Sequence, residues 1–406
     1  MATSSDGARP RIVHLLTSDI SSVLVRGQLG FMVERGFDVT VGVACTGPVG
    51  GSSAPGWGAG VCVEHVPFVR EMSVFRDLRA LVATIRLLRR VRPDIVNAST
   101  PKAGLLGTVA ARLCRVRVRV YVIRGLRFET ASGWQRRILR GTEWVAVRCA
   151  THVVANSESV LWAARDEGVV PSGVGEVIGA GSGNGVDVEW FTPSTPAERV
   201  AARASLGLDG TVIAFVGRLT KDKGVADLVD VFTTRFDGRD DVSLLLVGDF
   251  ESADPLDAVT RRAIDSDERI HHVTWLVDTR DVYRAADVLA FPSYREGLPN
   301  APLEAQASGV PVVGYAATGT VDAVVDGVTG VLVPTGDRQA LGDSLVDVAG
   351  QPARSMTLGI AAREHVEEHF DRRLVHDGIA NRYEGWLADA SPRSGGAQHR
   401  TGCSVR

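Results

Sequence analysis

The stretch Ser293-Tyr-Arg-Glu-Gly-Leu-Pro-Asn-Ala-Pro-Leu-Glu304, continuing through Ala305-Gln-Ala-Ser-Gly-Val-Pro-Val-Val313, decides how the rest of the chain is read. Before it, Asp287-Val-Leu-Ala-Phe-Pro292 has the length and apolar content of a buried strand. Gly297-Leu-Pro-Asn300 is turn chemistry, and Pro302 suits the first turn of a helix, where its missing N–H leaves nothing unsatisfied. A strand thus hands over to a helix, with one carboxylate, Glu296, at the strand end and a second, Glu304, just inside the helix. The free N–H groups and positive dipole end of such a helix suit a diphosphate. Glu304 can reach a cis-diol while Glu296 reaches another part of the same ligand, so the expected ligand joins a nucleotide to a sugar.

Working outward, 406 residues are too many for one core and few for three, and two domains are expected. The net charge of −3 conceals a split. Residues 1–193 hold 23 Lys/Arg against 16 Asp/Glu, and residues 194–406 hold 22 against 32. Between residues 70 and 140, 17 basic residues meet 4 acidic ones, so that half should face something anionic, a phosphate or a lipid surface. A solvated Arg-rich face is the plainer alternative. Met1–Pro10 is polar, unlike a secretory leader, and no stretch approaches the roughly 18 uncharged apolar residues of a spanning helix. Cys45, Cys62, Cys114, Cys149 and Cys403 form no C-x-x-C pair, which points to a reduced, cytoplasmic chain without structural zinc.

Strand and helix patterns alternate along both halves. Arg11–Leu16, Phe37–Val43, Val61–Val66, Asp94–Asn97 and Val116–Val120 read as strands, with helical periodicity between them, which is the rhythm of a parallel sheet. The charged loop Val122–Glu129 falls at a strand's C-terminal end, where ligands sit in open α/β sheets. A basic, aromatic helix follows, with Trp134, Arg136, Arg137, Ile138, Arg140, Trp144 and Val145; it reads either as a segment able to lie on an anionic bilayer or as an ordinary packing helix. Gly179-Ala-Gly-Ser-Gly-Asn-Gly-Val-Asp187 does not match G-x-G-x-x-G, and no helix pattern opens after it, so a dinucleotide fingerprint is not indicated. Thr192–Leu208 reads as a flexible connection, after which the pattern restarts at Thr211–Val216. The expected domains are residues 1–193 and 194–370, then a helix over 371–389 packing back on the first domain, then a disordered tail over 390–406.

Arg218 and Lys223 lie in the loop after Thr211–Val216, at the same sheet edge as Glu296. A planar fork and a flexible ammonium there suit a diphosphate and the charge of a departing nucleotide. Asp265-Ser-Asp267 copies a metal-binding D-x-D but follows a polar helix, so a surface turn is expected, and His271-His272 lacks a third ligand at metal spacing. Neither G-x-S-x-G nor a Walker-type loop occurs.

Three motifs together resemble the retaining GT-B glycosyltransferases of family four: Glu296-Gly-Leu-Pro-Asn-x-x-x-Glu304-Ala, Gly217-Arg-x-x-x-x-Lys-Gly224 and Asn184-Gly-Val-Asp187. Thr100-Pro-Lys-Ala-Gly-Leu-Leu-Gly107 and Arg124-Gly-Leu-Arg-Phe-Glu129 look more narrowly like the capsule and exopolysaccharide branch. The resemblance implies two Rossmann-like domains around a deep cleft and a metal-independent transfer with retention, without cofactor. Glu296, Arg218 and Lys223 would be the catalytic groups. Gly217, Glu304, Gly297, Leu298 and Asn300 would bind the donor, and Arg124 and Arg127 would contact acceptor or phosphate. The implied partners are a UDP-sugar, of hexosamine type, and a lipid-linked acceptor, with peripheral contact to an anionic inner membrane face and no nucleic acid. A soluble metabolite or antibiotic acceptor, or a non-catalytic nucleotide-sugar-binding role, are the alternatives. The chain departs from the family pattern at Arg124, where many relatives carry His, at Thr274-Trp-Leu-Val277, which lacks the usual Gly, and at Val321-Asp322, in place of Arg-Glu.

Overall fold

A computed structural model describes residues 9–45, 57–69, 73–181, 183–252, 254–274, 276 and 278–390. The sequence expectation for a tail from 391 onward, most of the Gly/Ser/Pro stretch 46–60 and part of Thr274–Val277 lie outside the described residues.

The first sheet contains β1 (Arg11–Leu15), β2 (Asp38–Val43), β3 (Cys62–His65), β4 (Ile95–Ser99), β5 (Val118–Ile123), β6 (His152–Ala155) and β7 (Glu176–Val177). All pairings are parallel, in the order β3-β2-β1-β4-β5-β6-β7. The second sheet contains β8 (Thr211–Val216), β9 (Val242–Val247), β10 (Ile270–Val273), β11 (Val288–Phe291), β12 (Val312–Tyr315) and β13 (Gly330–Val333), in the order β10-β9-β8-β11-β12-β13, also parallel. Central strands such as β8 and β9 are apolar and buried along nearly their whole length because helices cover both sheet faces. The strand order reverses between β1 and β4 and again between β8 and β11, which opens a crevice at the C-terminal edge of each sheet.

Right-handed crossovers decide which helices share a face. In the first lobe α2 (Val74–Val91), α3 (Pro101–Leu113) and α4 (Gly133–Cys149) form one layer, with α2 and α4 both packed against α3. α1 (Gln28–Glu34) lies on the opposite face, and α5 (Glu158–Asp166) follows β6. The second lobe carries α6 (Pro196–Leu206), α7 (Val225–Arg235), α8 (Ala258–Ser266), α9 (Arg280–Ala285), α10 (Asn300–Ala307), α11 (Thr320–Ala323), α12 (Arg338–Gly350) and α13 (Pro352–His369). The last helix, α14 (Arg372–Ala390), returns to the first lobe. Its Val375, Ile379, Ala380, Tyr383 and Trp386 share a core with Leu29 and Met32 of α1 and with Ile12, Val39, Val41, Val120 and Val122 of the sheet. Trp386 stacks on His152 at 4.3 Å between centroids, and Arg35 pairs with Asp377 and Glu384. The two crossings between lobes run side by side: Val186 N–H donates to the Phe370 carbonyl at 2.8 Å, and Arg372 N–H to the Val186 carbonyl at 2.9 Å.

One expectation fails here. Thr192–Leu208 is not a flexible connection, because α6 occupies most of it. Thr195 accepts from Glu198 N–H, and the Glu198 carboxylate accepts from Thr195 N–H, a closed capping box with Pro196 in the first turn. Arg199 and Arg203 then dock on Asp287, ahead of β11.

Candidate active site

The opening stretch lies at the C-terminal edge of the second sheet. β11 ends at Phe291, and Pro292–Pro299 turns into α10. Glu296 Oε1 accepts a hydrogen bond from Ser293 Oγ at 2.8 Å and pairs with the Lys223 ammonium, both side chains being mostly shielded from solvent. Lys223 is held there from behind. Asp227, buried in the first turn of α7, accepts from Tyr294 at 2.6 Å and Tyr315 at 2.9 Å, which fastens the start of α7 to the ends of β11 and β12. Asp222, in the same loop, pairs with Arg295 at 3.0 Å. Burial pushes against its charge, but the Thr220 hydroxyl and the cations of Lys223, Arg295 and Arg218 hold its carboxyl below the usual range. Arg218 is half exposed and pairs with Glu251, so both candidate phosphate-binding cations are held by carboxylates of the same edge.

Glu304 sits in the second turn of α10 and accepts from Tyr283 Oη at 2.9 Å and Thr279 Oγ1 at 3.4 Å. Burial pushes its pKa up to about 7, opposed by those two donors and by the fields of Arg26 and Arg372, which come from the first lobe and from α14. Glu304 therefore faces the junction of the lobes, and Asn300 opens the same helix.

Across the junction, the loop after β5 meets the turn before α10. Gly297 lies against the Arg124–Gly125 backbone, so closely that a Cβ at Gly297 would overlap the Arg124 carbonyl oxygen. Ser157 Oγ donates to the Gly297 carbonyl at 2.7 Å, Thr318 Oγ1 to Glu129 at 2.8 Å, and Arg295 Nε to Thr130 Oγ1 at 2.8 Å. Asp322, at the family-divergent position, accepts from Ser159 N–H at 3.1 Å and from the Ser159 hydroxyl, which in turn accepts from Gly319 N–H at 2.7 Å. Leu298 is buried in the second lobe's core, so it and Gly297 contribute backbone and shape to the site.

The two first-lobe arginines separate. The Arg124 guanidinium tucks beneath Gly183, where a side chain would collide with it, and burial lowers its pKa to about 10. It borders a small cavity of about 30 Å³ shared with Asn97, Asn156 and Tyr383, and its buried Nε has no hydrogen-bond partner among the described residues. His14 is buried nearby with both ring nitrogens unpartnered among the described residues; burial, then the Arg124 charge, pushes it down to about 3. Arg127 instead is exposed and acts on Glu143 of α4, the acid hydrogen-bonded to Tyr121.

Sequence reading missed Ser293, Tyr283, Thr279 and Glu251. Ser293 could have been found from its place three residues before Glu296; the others carry no local signal. Among the described residues no group of three or more His, Cys, Asp or Glu could hold a metal ion, and Asp267 of the D-x-D pairs with Arg269 at 2.7 Å. No helix among them is long and apolar enough to cross a membrane.

Two parallel-sheet lobes whose strand ends face one another across charged loops define the GT-B architecture. Sucrose-phosphate synthase from Thermosynechococcus elongatus shares it with a TM-score of 0.79 at 21% identity, covering 94% of this chain and 100% of that one. Anabaena HepE, solved with UDP-glucose, gives 0.75 at 21% identity over 92% and 99%. The chain belongs to the group 1 glycosyltransferases: residues 23–181 match the glycosyl transferase 4-like domain and residues 210–351 the glycosyl transferases group 1 domain. It is 31% identical over 380 residues to the capsular polysaccharide biosynthesis glycosyltransferase CapM of Staphylococcus aureus, covering 94% of this chain and 98% of that one. It is 27% identical over 285 residues to an Escherichia coli UDP-Gal:alpha-D-GlcNAc-diphosphoundecaprenol alpha-1,3-galactosyltransferase, covering 69% and 72%.

Proposed function

We propose that this glycosyltransferase is retaining and metal-independent. It moves a hexosamine-type sugar from a UDP-sugar to a hydroxyl of a polyprenyl-diphosphate-linked glycan during surface polysaccharide synthesis, at the cytoplasmic face of the membrane. The observation that carries this reading is the convergence of Lys223 and Ser293 on one oxygen of Glu296, at the edge where Gly297 meets Arg124. CapM supports the pathway, and the Escherichia coli relative supports a lipid diphosphate acceptor.

In this reading Oε1 of Glu296 is fixed by its two donors and Oε2 takes a hydroxyl of the donor sugar. Glu304 accepts from the ribose hydroxyls. Lys223 and Arg218 exchange their carboxylate partners for the diphosphate, and their charge stabilises it as it leaves. The bond from the anomeric carbon to the diphosphate breaks, the bond to the acceptor oxygen forms on the same face, and the acceptor proton passes to the departing diphosphate oxygen. No side chain is then required as general base.

The test pairs a thermal-shift panel of UDP- and GDP-sugars with transfer to a polyprenyl-diphosphate-linked saccharide, the product's anomeric configuration being read by NMR. A UDP-sugar should give the largest shift, since a ligand that binds only the folded state raises Tm. Equal shifts across bases would remove the UDP assignment, an inverted product would remove retention, and binding without turnover would favour the non-catalytic alternative.

A further inference from the structure

We propose that the outer surface of the α2–α3–α4 layer docks on an anionic bilayer leaflet, with the first turns of α2 and α4 inserted beside the mouth of the cleft. The proposal rests on the lipid-linked acceptor inferred above.

The outward positions of these helices are apolar where a solvated helix is polar. On α2, Val74 is 82% exposed, Phe75 87% and Leu78 57%; on α4, Trp134 is 70% exposed and Ile138 41%. Topology gathers them at one edge. Each helix follows a strand of the parallel sheet and so begins at the C-terminal strand edge, the edge at which Arg124 meets Gly297. α3 lies between α2 and α4 and touches both, so the two apolar groups flank one continuous rim. Behind Phe75 and Leu78 an open groove of about 530 Å³ continues along α2, lined also by Val82, Arg79 and Arg86.

Charge identifies the occupant. Exposed arginines of the second lobe are paired, as Arg239 is with Asp241, Arg280 with Asp278 and Arg354 with Asp347. On the α2–α4 face, Arg76, Arg79, Arg86 and Arg137 are exposed, and none forms an ion pair with a described carboxylate. Aromatic and aliphatic side chains bracketed by free guanidinium groups match an interface of acyl chains and anionic headgroups. A second copy of the chain would set these arginines against each other, which disfavours a face-to-face dimer.

The test is co-sedimentation of the full chain with phosphatidylglycerol-containing vesicles and with pure phosphatidylcholine vesicles, at low and high salt. Wild type should bind the anionic vesicles and lose about tenfold in affinity at high salt. F75S/W134S should lose at least about tenfold while its UDP-induced Tm shift is unchanged, and R76Q/R79Q/R137Q should erase the preference for phosphatidylglycerol. Wild-type-like sedimentation of F75S/W134S overturns the proposal. So does a wild-type dimer, in sedimentation velocity without lipid, that F75S/W134S converts to monomer. Transfer to a detergent-dispersed lipid-linked acceptor without any vesicle binding overturns the docking alone; vesicle binding without such transfer overturns the acceptor reading and leaves the docking supported.

Discussion

Glu304 makes nucleotide binding depend on protonation. Burial holds its pKa near 7 in the free protein, so below that pH the carboxyl is neutral and loses acceptor capacity for ribose hydroxyls. UDP affinity should rise as pH increases from about 6 to about 8, and Glu304→Gln should weaken binding and flatten that dependence, both read by titration calorimetry. An affinity that falls over this range would mean the neutral carboxyl is the binding form. The two acids should also separate kinetically. Glu296→Ala is expected to cut kcat about a hundredfold or more, and Glu304→Ala mainly to raise the KM for the donor. The reverse pattern would exchange their roles. The Glu296–Lys223 pairing was legible because both residues sit in dense local motifs after strands. Tyr283 was not: it meets Glu304 from a helix 21 residues upstream, and no spacing rule connects a short helix before β11 to the one after it.

At the scale of elements, alternating apolar runs and helical stripes made the βαβ rhythm readable in both halves. α6 escaped because its sequence is rich in Ala and Arg and has little apolar face; only Ala202 is buried. The legible signal was Thr195-Pro-Ala-Glu198, a reciprocal cap whose two hydrogen bonds close in the structure. Thr195→Ala should cost about 1 kcal/mol, read as a lower denaturation midpoint at unchanged slope, with transfer activity retained. Loss of activity without loss of stability would show that α6 does more than brace Asp287. The turn before α10 was legible as a turn, but not its partner. Gly297 has the backbone of another lobe where its side chain would be, and that constraint is invisible in a one-dimensional pattern.

For the molecule as a whole, the contacts between lobes are few and polar. Ser159 with Asp322, Thr318 with Glu129 and Arg295 with Thr130 join surfaces that each lobe could also expose to water. Asp322→Ala leaves Ser159 N–H and hydroxyl without their acceptor and should favour an opened arrangement: a larger radius of gyration in small-angle scattering and a higher donor KM, at little cost in Tm. An unchanged radius would place the hold elsewhere. α14 imposes a different condition, one of timing. The surface formed by α1 and the strands beside it is sealed by residues synthesised only after the whole second lobe, so a nascent first lobe leaves the ribosome with that strip bare. Stalled chains released only to residue 370 should be cut readily by protease within residues 9–190, whereas chains released past Trp386 resist. Equal resistance at both lengths would mean that the early half reaches its fold alone and α14 merely settles on it afterwards.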